Sequence, residues 1–196
     1  MTSFYEEFAG IYRLRVPFER IYTSVFLIET QEGAVLVDCA TTAFDVDEYI
    51  VPALREINYR LSDLKMLILT HKHGDHAGGL ERVLFHAPNL EVVRNVQEIF
   101  DGICTYPMAG HTEDCIGILD TRTGTLISGD GLQGLGVDKY RCSTQNRDAY
   151  IETVNRVRHD PRVKNILFSH AYEPWNSDRA TGENQVRSCL EACLPY

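Results

Sequence analysis

Met66-Leu67-Ile68-Leu69-Thr70-His71-Lys72-His73-Gly74-Asp75-His76-Ala77-Gly78-Gly79 is the stretch around which this chain is organised. Its first four residues form an apolar run bounded by turn signals, the pattern of a buried strand. Three histidines and a carboxylate then fall within six residues. His71 and His73 are two apart, so at a strand end their side chains leave on one side. Gly74 is expected to let the backbone turn sharply. Asp75 and His76 project from that turn, just ahead of the amphipathic pattern Leu80, Val83, Leu84. Imidazoles and a carboxylate suit zinc and its transition-metal neighbours. A strand that ends in such ligands and opens a helix is the context a metal motif requires.

The rest of the chain bounds what that motif can serve. A length of 196 residues with 44% hydrophobic and 24% charged composition predicts one globular domain over residues 1–196. The formal net charge of -9 argues against nucleic acid and anionic membrane as partners and leaves a small-molecule substrate. No signal peptide and no apolar run of spanning length are visible, so a cytoplasmic location is expected. The six cysteines (39, 104, 115, 142, 189 and 193) show no Cys-x-x-Cys pair and read as reduced thiols. Cys189 and Cys193 share one apolar helix face and read as core. Oligomeric state is left open, a homo-oligomer being compatible.

In order, residues 11–16 predict a strand that Pro17 interrupts, and residues 21–30 a second one. Gln31-Glu32-Gly33 turns the chain into 34–37, which ends at Asp38. Val46, Tyr49, Ile50, Ala53, Leu54 and Ile57 mark a helical face, with Pro52 expected to kink it or shift its start. Residues 64–70 deliver the histidine turn, and 80–85 form a short helix. Residues 91–93 and 103–106 read as strands around a helix at 96–100. Ala109-Gly110-His111-Thr112 is a turn. Residues 115–120 and 125–128 form a hairpin that ends at Gly129-Asp130-Gly131. A helix is expected from Tyr150, Ile151, Val154 and Val157, capped by Asn146 or Asp148. Residues 165–169 form a last strand delivering His170, and Val186 to Leu194 a final helix. Such an order fits mixed sheets with helices outside, an α+β arrangement.

His111, Asp130 and His170 each sit at a strand end or in the turn after one, where sites collect in layered folds. With the opening motif they make five histidines and two aspartates. One tetrahedral ion cannot use seven ligands, whereas two ions sharing a carboxylate can. His86 and His159 lack such a setting and read as helix-end and surface residues.

His71-Lys72-His73-Gly74-Asp75-His76, with Ala109-Gly110-His111-Thr112, Ser128-Gly129-Asp130 and Ser169-His170, resembles the metallo-β-lactamase-fold hydrolase superfamily. The chain is most similar to its glyoxalase II and lactonase-like members. The resemblance implies a four-layer αββα sandwich of two mixed β-sheets. It implies that His71, His73 and His111 bind one metal, that Asp75, His76 and His170 bind a second, and that Asp130 bridges them. The cofactors are then two divalent metal ions, zinc first, with iron or manganese as alternatives. Asp130 stands where the best-known β-lactamases lack an aspartate, so antibiotic hydrolysis is not expected. Val37-Asp38 matches a position where the family often has an aspartate supporting the ligands. Asp38 is thus expected to hold a ligand imidazole, with a turn cap as the alternative.

A metal pair about 3.5 to 4 Å apart lowers the pKa of a bridging water from about 15.7 towards 7, so hydroxide becomes the nucleophile. Asp75 is then both ligand and catalytic orienter of that hydroxide. The expected reaction is hydrolysis of a small ester, thioester or lactone. The alternative is a non-haem iron oxidoreductase on the same fold, similar to persulfide dioxygenases. Only 26 residues follow His170, so the helical glutathione domain of glyoxalase II is expected to be missing. Phe18, Tyr22, Tyr140, Arg141, Tyr172 and Trp175 are the expected pocket residues.

Overall fold

The structure is a computed structural model and describes residues 3–100, 102–132, 144–171 and 177–194. The chain divides into two compact units, Met1–Arg94 and Asn95–Tyr196. Each is built on one six-stranded mixed sheet.

In the first unit the strands are β1 (Tyr5–Phe8), β2 (Ile11–Phe18), β3 (Ile21–Thr30), β4 (Gly33–Val37), β5 (Leu64–Ile68) and β6 (Glu91–Val93). They lie in that spatial order. The pairs from β1 to β4 are antiparallel, while β4–β5 and β5–β6 are parallel. A parallel pair needs a crossover, and here it is helical: α1 (Ala43–Asp45), a π-helical turn (Val46–Ile50) and α2 (Val51–Glu56). Thr42 caps α1 by accepting from the Asp45 N–H, and the Asp45 carboxylate accepts from the Thr42 N–H in return. The π turn ends at Ile50, one residue ahead of Val51-Pro52, and is closed by the Val51 N–H on the Val46 carbonyl. Pro52 falls in the first turn of α2, where a missing N–H is tolerated, so the helix start is shifted as the alternative expectation had it.

The core of this unit lies between one sheet face and the helices. Leu14, Val16, Val25, Leu27, Leu36 and Leu67 meet Val46, Ile50, Ala53 and Leu54, together with Val83 of α4 (Leu80–His86). Between β5 and α4 lies the one-turn helix α3 (Gly74–Ala77).

The second unit repeats the plan. Its strands are β7 (Glu98–Phe100), β8 (Ile103–Pro107), β9 (Ile116–Asp120), β10 (Thr125–Ile127), β11 (Asn165–Leu167) and β12 (Arg179–Thr181). The run from β7 to β10 is antiparallel, β10–β11 is parallel, and β12 closes antiparallel on β11. The crossover between β10 and β11 contains α5 (Arg147–His159), and α6 (Gly182–Cys193) follows β12. Asn146 caps α5 by accepting from the Ala149 N–H, a bond of the kind worth about 1 kcal/mol. Arg156, Arg158 and His159 occupy its last turn, where cations complement the helix dipole. Tyr150, Val154 and Val157 of α5 and Val186, Cys189, Leu190 and Cys193 of α6 pack with Tyr106, Leu119, Leu126 and Ile166 of the sheet. No described helix is long and apolar enough to cross a membrane.

Four local expectations are corrected. Pro17 does not interrupt its strand: β2 runs to Phe18, with Pro17 opposite Tyr22. The last β2 residue paired with β1 is Arg13, so no ladder donor is required of Pro17 on that side. Residues 98–100 are strand rather than helix, paired with β8 around Gly102 at φ +80. The Asp-Gly dipeptide at 101–102 is a hairpin signal that outweighs the short apolar pattern before it. Strands β1 and β12 were not expected at all. Gly74 does not supply a glycine-only bend, because its φ is not positive and nothing lies within 4 Å of an added Cβ.

Candidate metal centre

In the first unit the parallel register decides what meets what. Val37 pairs with Ile68, so Asp38 and the residues after Ile68 leave adjacent strand ends together. The Asp38 N–H donates to the Ile68 carbonyl at 2.9 Å. The Asp38 carboxylate accepts from the Thr70 N–H and from the Thr70 hydroxyl, each at 2.8 Å. It also lies 2.7 Å from His76 Nδ1. A carboxylate accepts and does not donate, so the proton of that bond sits on Nδ1 and the Nε2 lone pair is left for a cation. Thr70 extends the same logic to His71. Its hydroxyl proton goes to Asp38, so its oxygen accepts from His71 Nδ1 at 3.1 Å. One carboxylate thus sets the tautomers of two imidazoles, the second through a hydroxyl relay.

Asp38 and Ala40 adopt left-handed backbone conformations, φ 62 and 59, without being glycine. Such strain persists where surrounding structure over-determines it. Here the Cys39 N–H donates to the His76 carbonyl and the Gly79 N–H to the Ala40 carbonyl. A Cβ on Gly78 would stand 2.0 Å from the Thr41 carbonyl oxygen, and one on Gly79 2.1 Å from that of Cys39. The paired glycines of the motif therefore let α3 press onto the 38–41 loop. The rings of His71 and His73 are 4.7 Å apart, and those of His71 and His76 4.1 Å. His76 Nε2 lies 3.3 Å from Asp75 Oδ2.

The second unit gathers its residues from three separate turns. In the parallel pair β10–β11, Ile127 stands opposite Leu167. Asp130 and His170, each three residues further on, therefore emerge side by side. Asp130 Oδ1 is 3.4 Å from His170 Nε2, and Asp130 Oδ2 is 3.7 Å from His111 Nε2. The His111 turn is fastened to α5. The Asn146 N–H donates to the Gly110 carbonyl, and the Thr153 hydroxyl to that of Ala109 at 2.7 Å. Gly110 has φ +145, and an added Cβ would meet the Tyr150 Cα at 2.6 Å. Ala109 is held by this docking.

The donor set fits a divalent transition metal. Ligands bound at about 2.0–2.1 Å around a tetrahedral ion lie about 3.3 Å from one another. The three imidazole–carboxylate separations of 3.3, 3.4 and 3.7 Å fall near that value and beyond good hydrogen-bond length. His71, His76, His111, Asp130 and His170 are buried, and His73 and Asp75 are half-buried. The chain thus carries histidine and aspartate groups that could hold metal ions. His86 and His159 belong to neither group: His86 Nε2 binds Asp47 at 2.9 Å, and His159 Nδ1 donates to the Asn155 carbonyl.

Nearby thiols are poor nucleophiles. Burial pushes the Cys39 thiol up, and the neighbouring Asp38 adds to it. Burial likewise pushes Cys115 up to about 11, against hydrogen bonds from Thr112 that act in the other direction. The five described cysteines are buried and none is in a disulfide with another described residue. Of the expected pocket residues, Tyr140, Arg141, Tyr172 and Trp175 lie outside the described residues, as does Cys142. Phe18 and Tyr22 are half-buried on the β2–β3 hairpin. Thr70 is the contributor that sequence reasoning missed. Its signal was its place between the strand and the first histidine.

The family model "Metallo-beta-lactamase superfamily" matches residues 19–100. A hydroxyacylglutathione hydrolase of Halorhodospira halophila is 30% identical over 183 residues, covering 79% of this chain and 71% of that protein. The chain belongs to the metallo-β-lactamase superfamily. An atrochrysone carboxyl ACP thioesterase of Claviceps purpurea is 26% identical over 130 residues, 58% of this chain. Several relatives are longer: the chain spans 41% of that thioesterase and 61% of the protein YobT of Bacillus subtilis. Among solved structures, a metallo-β-lactamase from Hirschia baltica superposes with a TM-score of 0.74 at 20% identity, covering 100% of this chain and 99% of that one. At that identity the likeness shows the fold, two mixed sheets with helices. The family model stops before His111, Asp130 and His170.

Proposed function

We propose that this superfamily member is a binuclear metal-dependent hydrolase, with zinc as first choice, of a small ester, thioester or lactone. The observation that carries the reading is Asp130, whose two oxygens face two different histidines at ligand-to-ligand distances. A carboxylate that turns one oxygen to each of two nitrogen donors is placed to join two cations. In this reading the two units work as one catalytic domain. His71, His73 and His111 hold one ion; Asp75, His76 and His170 hold the other; Asp130 bridges. When bound, the ions supply Lewis-acid polarisation of the substrate carbonyl and acidify water.

The chain's own residues do the rest. Asp38 fixes the His76 ring directly and the His71 ring through Thr70, so neither imidazole must reorient on loading. Asp75 holds one oxygen towards His76 and orients the attacking water or hydroxide by accepting a hydrogen bond from it. Neither Cys39 nor Cys115 is the nucleophile in this reading, because burial raises both thiols. Relatives named as a thioesterase and as hydroxyacylglutathione hydrolases put a thioester first among the three substrate classes.

The test is a panel of thioesters, lactones, aryl esters and phosphodiesters offered to the metal-reconstituted protein, with His76→Ala beside it. Metal-dependent turnover of one of the first three classes, lost in the variant, supports the reading. Turnover that persists unchanged in His76→Ala, or after removal of metal, contradicts it.

A further inference from the structure

Met108 stands between the two turns that present His111 and Asp130. It directly follows β8, and its N–H donates to the Cys115 carbonyl at 3.0 Å, one step beyond the Pro107–Ile116 pair. That bond closes the base of the loop that bears His111, three residues on. The two-residue period of a strand turns Met108 to the same side as Cys104 and Tyr106, into the core beneath α5 and α6. It is fully buried there.

Its neighbours include two glycines. A Cβ on Gly117 of β9 would come within 3.1 Å of Met108 Cγ. A Cβ on Gly131, the residue after Asp130, would come within 2.8 Å of Met108 Cβ, 2.9 Å of its Cε and 3.2 Å of its carbonyl oxygen. The Gly131 backbone therefore lies directly on Met108, with no side chain of its own between them. The Gly131 N–H also donates to the Ser128 carbonyl at 3.0 Å, and the Cys193 thiol to that of Leu132 at 3.6 Å. The turn that bears Asp130 is thus drawn closed and backed by Met108. An unbranched thioether can fill so irregular a gap. The β10–β11 register aligns Asp130 with His170, whereas His111 arrives from the connection between β8 and β9. Across that divide, Nε2 of His111 lies 3.7 Å from Oδ2 of Asp130.

We infer, on the metal-dependent reading above, that Met108 is a positioning residue. Packed between Gly117 and Gly131, it sets the distance of His111 from Asp130 and so how tightly these ligands hold a cation.

Cobalt(II) titrated into the metal-free protein, followed by visible absorption, reads the affinity. Met108→Ala is expected to weaken cobalt binding by about 10–100-fold, the range typical of residues that support ligands. Met108→Leu keeps the volume and is expected to stay within about threefold of wild type. Leu119→Ala, at a fully buried position of β9 in the same core, is the control. It should lower Tm as Met108→Ala does, without loosening cobalt. Should Met108→Ala not fold, Met108→Val takes its place, since it removes the thioether and keeps an apolar stem. Unchanged affinity in the shortened variant, or an equal loss in Leu119→Ala, overturns the positioning role. A second readout needs no metal. In crystals of the metal-free shortened variant, the His111–Asp130 separation is expected to leave 3.7 Å while Asp130–His170 stays at 3.4 Å. Both distances unchanged would overturn the role as well. Wild-type protein that takes up no cobalt counts against the metal-dependent reading instead, and the crystal distances then decide the role of Met108.

Discussion

The two units share a plan and divide the chemistry unequally. Each runs antiparallel strands into a parallel pair through a helical crossover, and each puts acid and imidazole at the ends of that pair. The first unit concentrates four candidate ligands in six residues and braces them with Asp38, Thr70 and two close-packed glycines. The second draws three from three turns and braces His111 from a helix more than thirty residues along the chain. A dense motif is held by short-range geometry; scattered ligands are held by sheet register. Substitutions in the two units should therefore fail in different ways.

The largest contrast comes from the carboxylates. Asp130→Asn removes one anionic oxygen from the proposed bridge, and metal per chain should fall from two towards one or none. Activity should drop more than the 10–100-fold typical of a residue that only supports ligands. Elemental analysis beside steady-state kinetics reads both. If two metals remain and activity is intact, Asp130 is no bridge and the second unit's role reduces to His111 and His170.

Asp38→Asn should cost about 10–100-fold in metal affinity. Thr70→Val should reproduce the lower end of that range by cutting only the His71 arm. Nitrogen-15 imidazole shifts of the metal-free protein should show His76 losing its Nδ1-protonated form in the first variant and His71 in the second. An unchanged tautomer in both would show that ring orientation is set elsewhere.

Glycine substitutions compare how tightly the two braces are packed. Gly110→Ala puts a Cβ 2.6 Å from the Tyr150 backbone at φ +145. Backbone strain of this kind costs of order 1–3 kcal/mol, which lowers Tm by several degrees. Gly79→Ala meets the Cys39 carbonyl oxygen at 2.1 Å and should behave alike. Gly74→Ala lies in open space and should be neutral or stabilise by up to about 1 kcal/mol, by helix propensity. Calorimetry that ranks Gly74→Ala with the other two would break this reading of the motif.

A smaller effect concerns pH. Burial raises the Cys115 thiol from its ordinary 9.0 to about 11 in the folded protein. A group raised on folding contributes its stability below the unfolded value and loses it as pH rises through the folded one. The stability difference between wild type and Cys115→Ala should therefore shrink between about pH 9 and 11. A difference that stays flat over that window would place the thiol in a wetter setting.

How much of this was legible in the sequence follows the same division. The histidine turn, its strand and the following helix could be read directly, because ligands and periodicity are local there. His111, Asp130 and His170 could be singled out as strand-end residues and through the family resemblance, but the side-by-side placement of Asp130 and His170 depended on the Ile127–Leu167 register and that of His111 on its docking to α5. The place of Thr70 between the strand and the first histidine was visible, but its relay exists only once β4 and β5 pair. Residues 98–100 deceived because a short apolar run carries no period of its own, and pairing with β8 decided its state. Pro17 deceived because the absence of β1 beside it cannot be seen from the chain alone.

The central claim is that Asp130 joins two cations. Crystals of the metal-reconstituted protein, measured at the absorption edge of the bound metal, test it most directly. Two anomalous peaks about 3.5–4 Å apart, one against each Asp130 oxygen, are the expected result. A single peak, or two peaks that leave Asp130 outside their coordination, would contradict it.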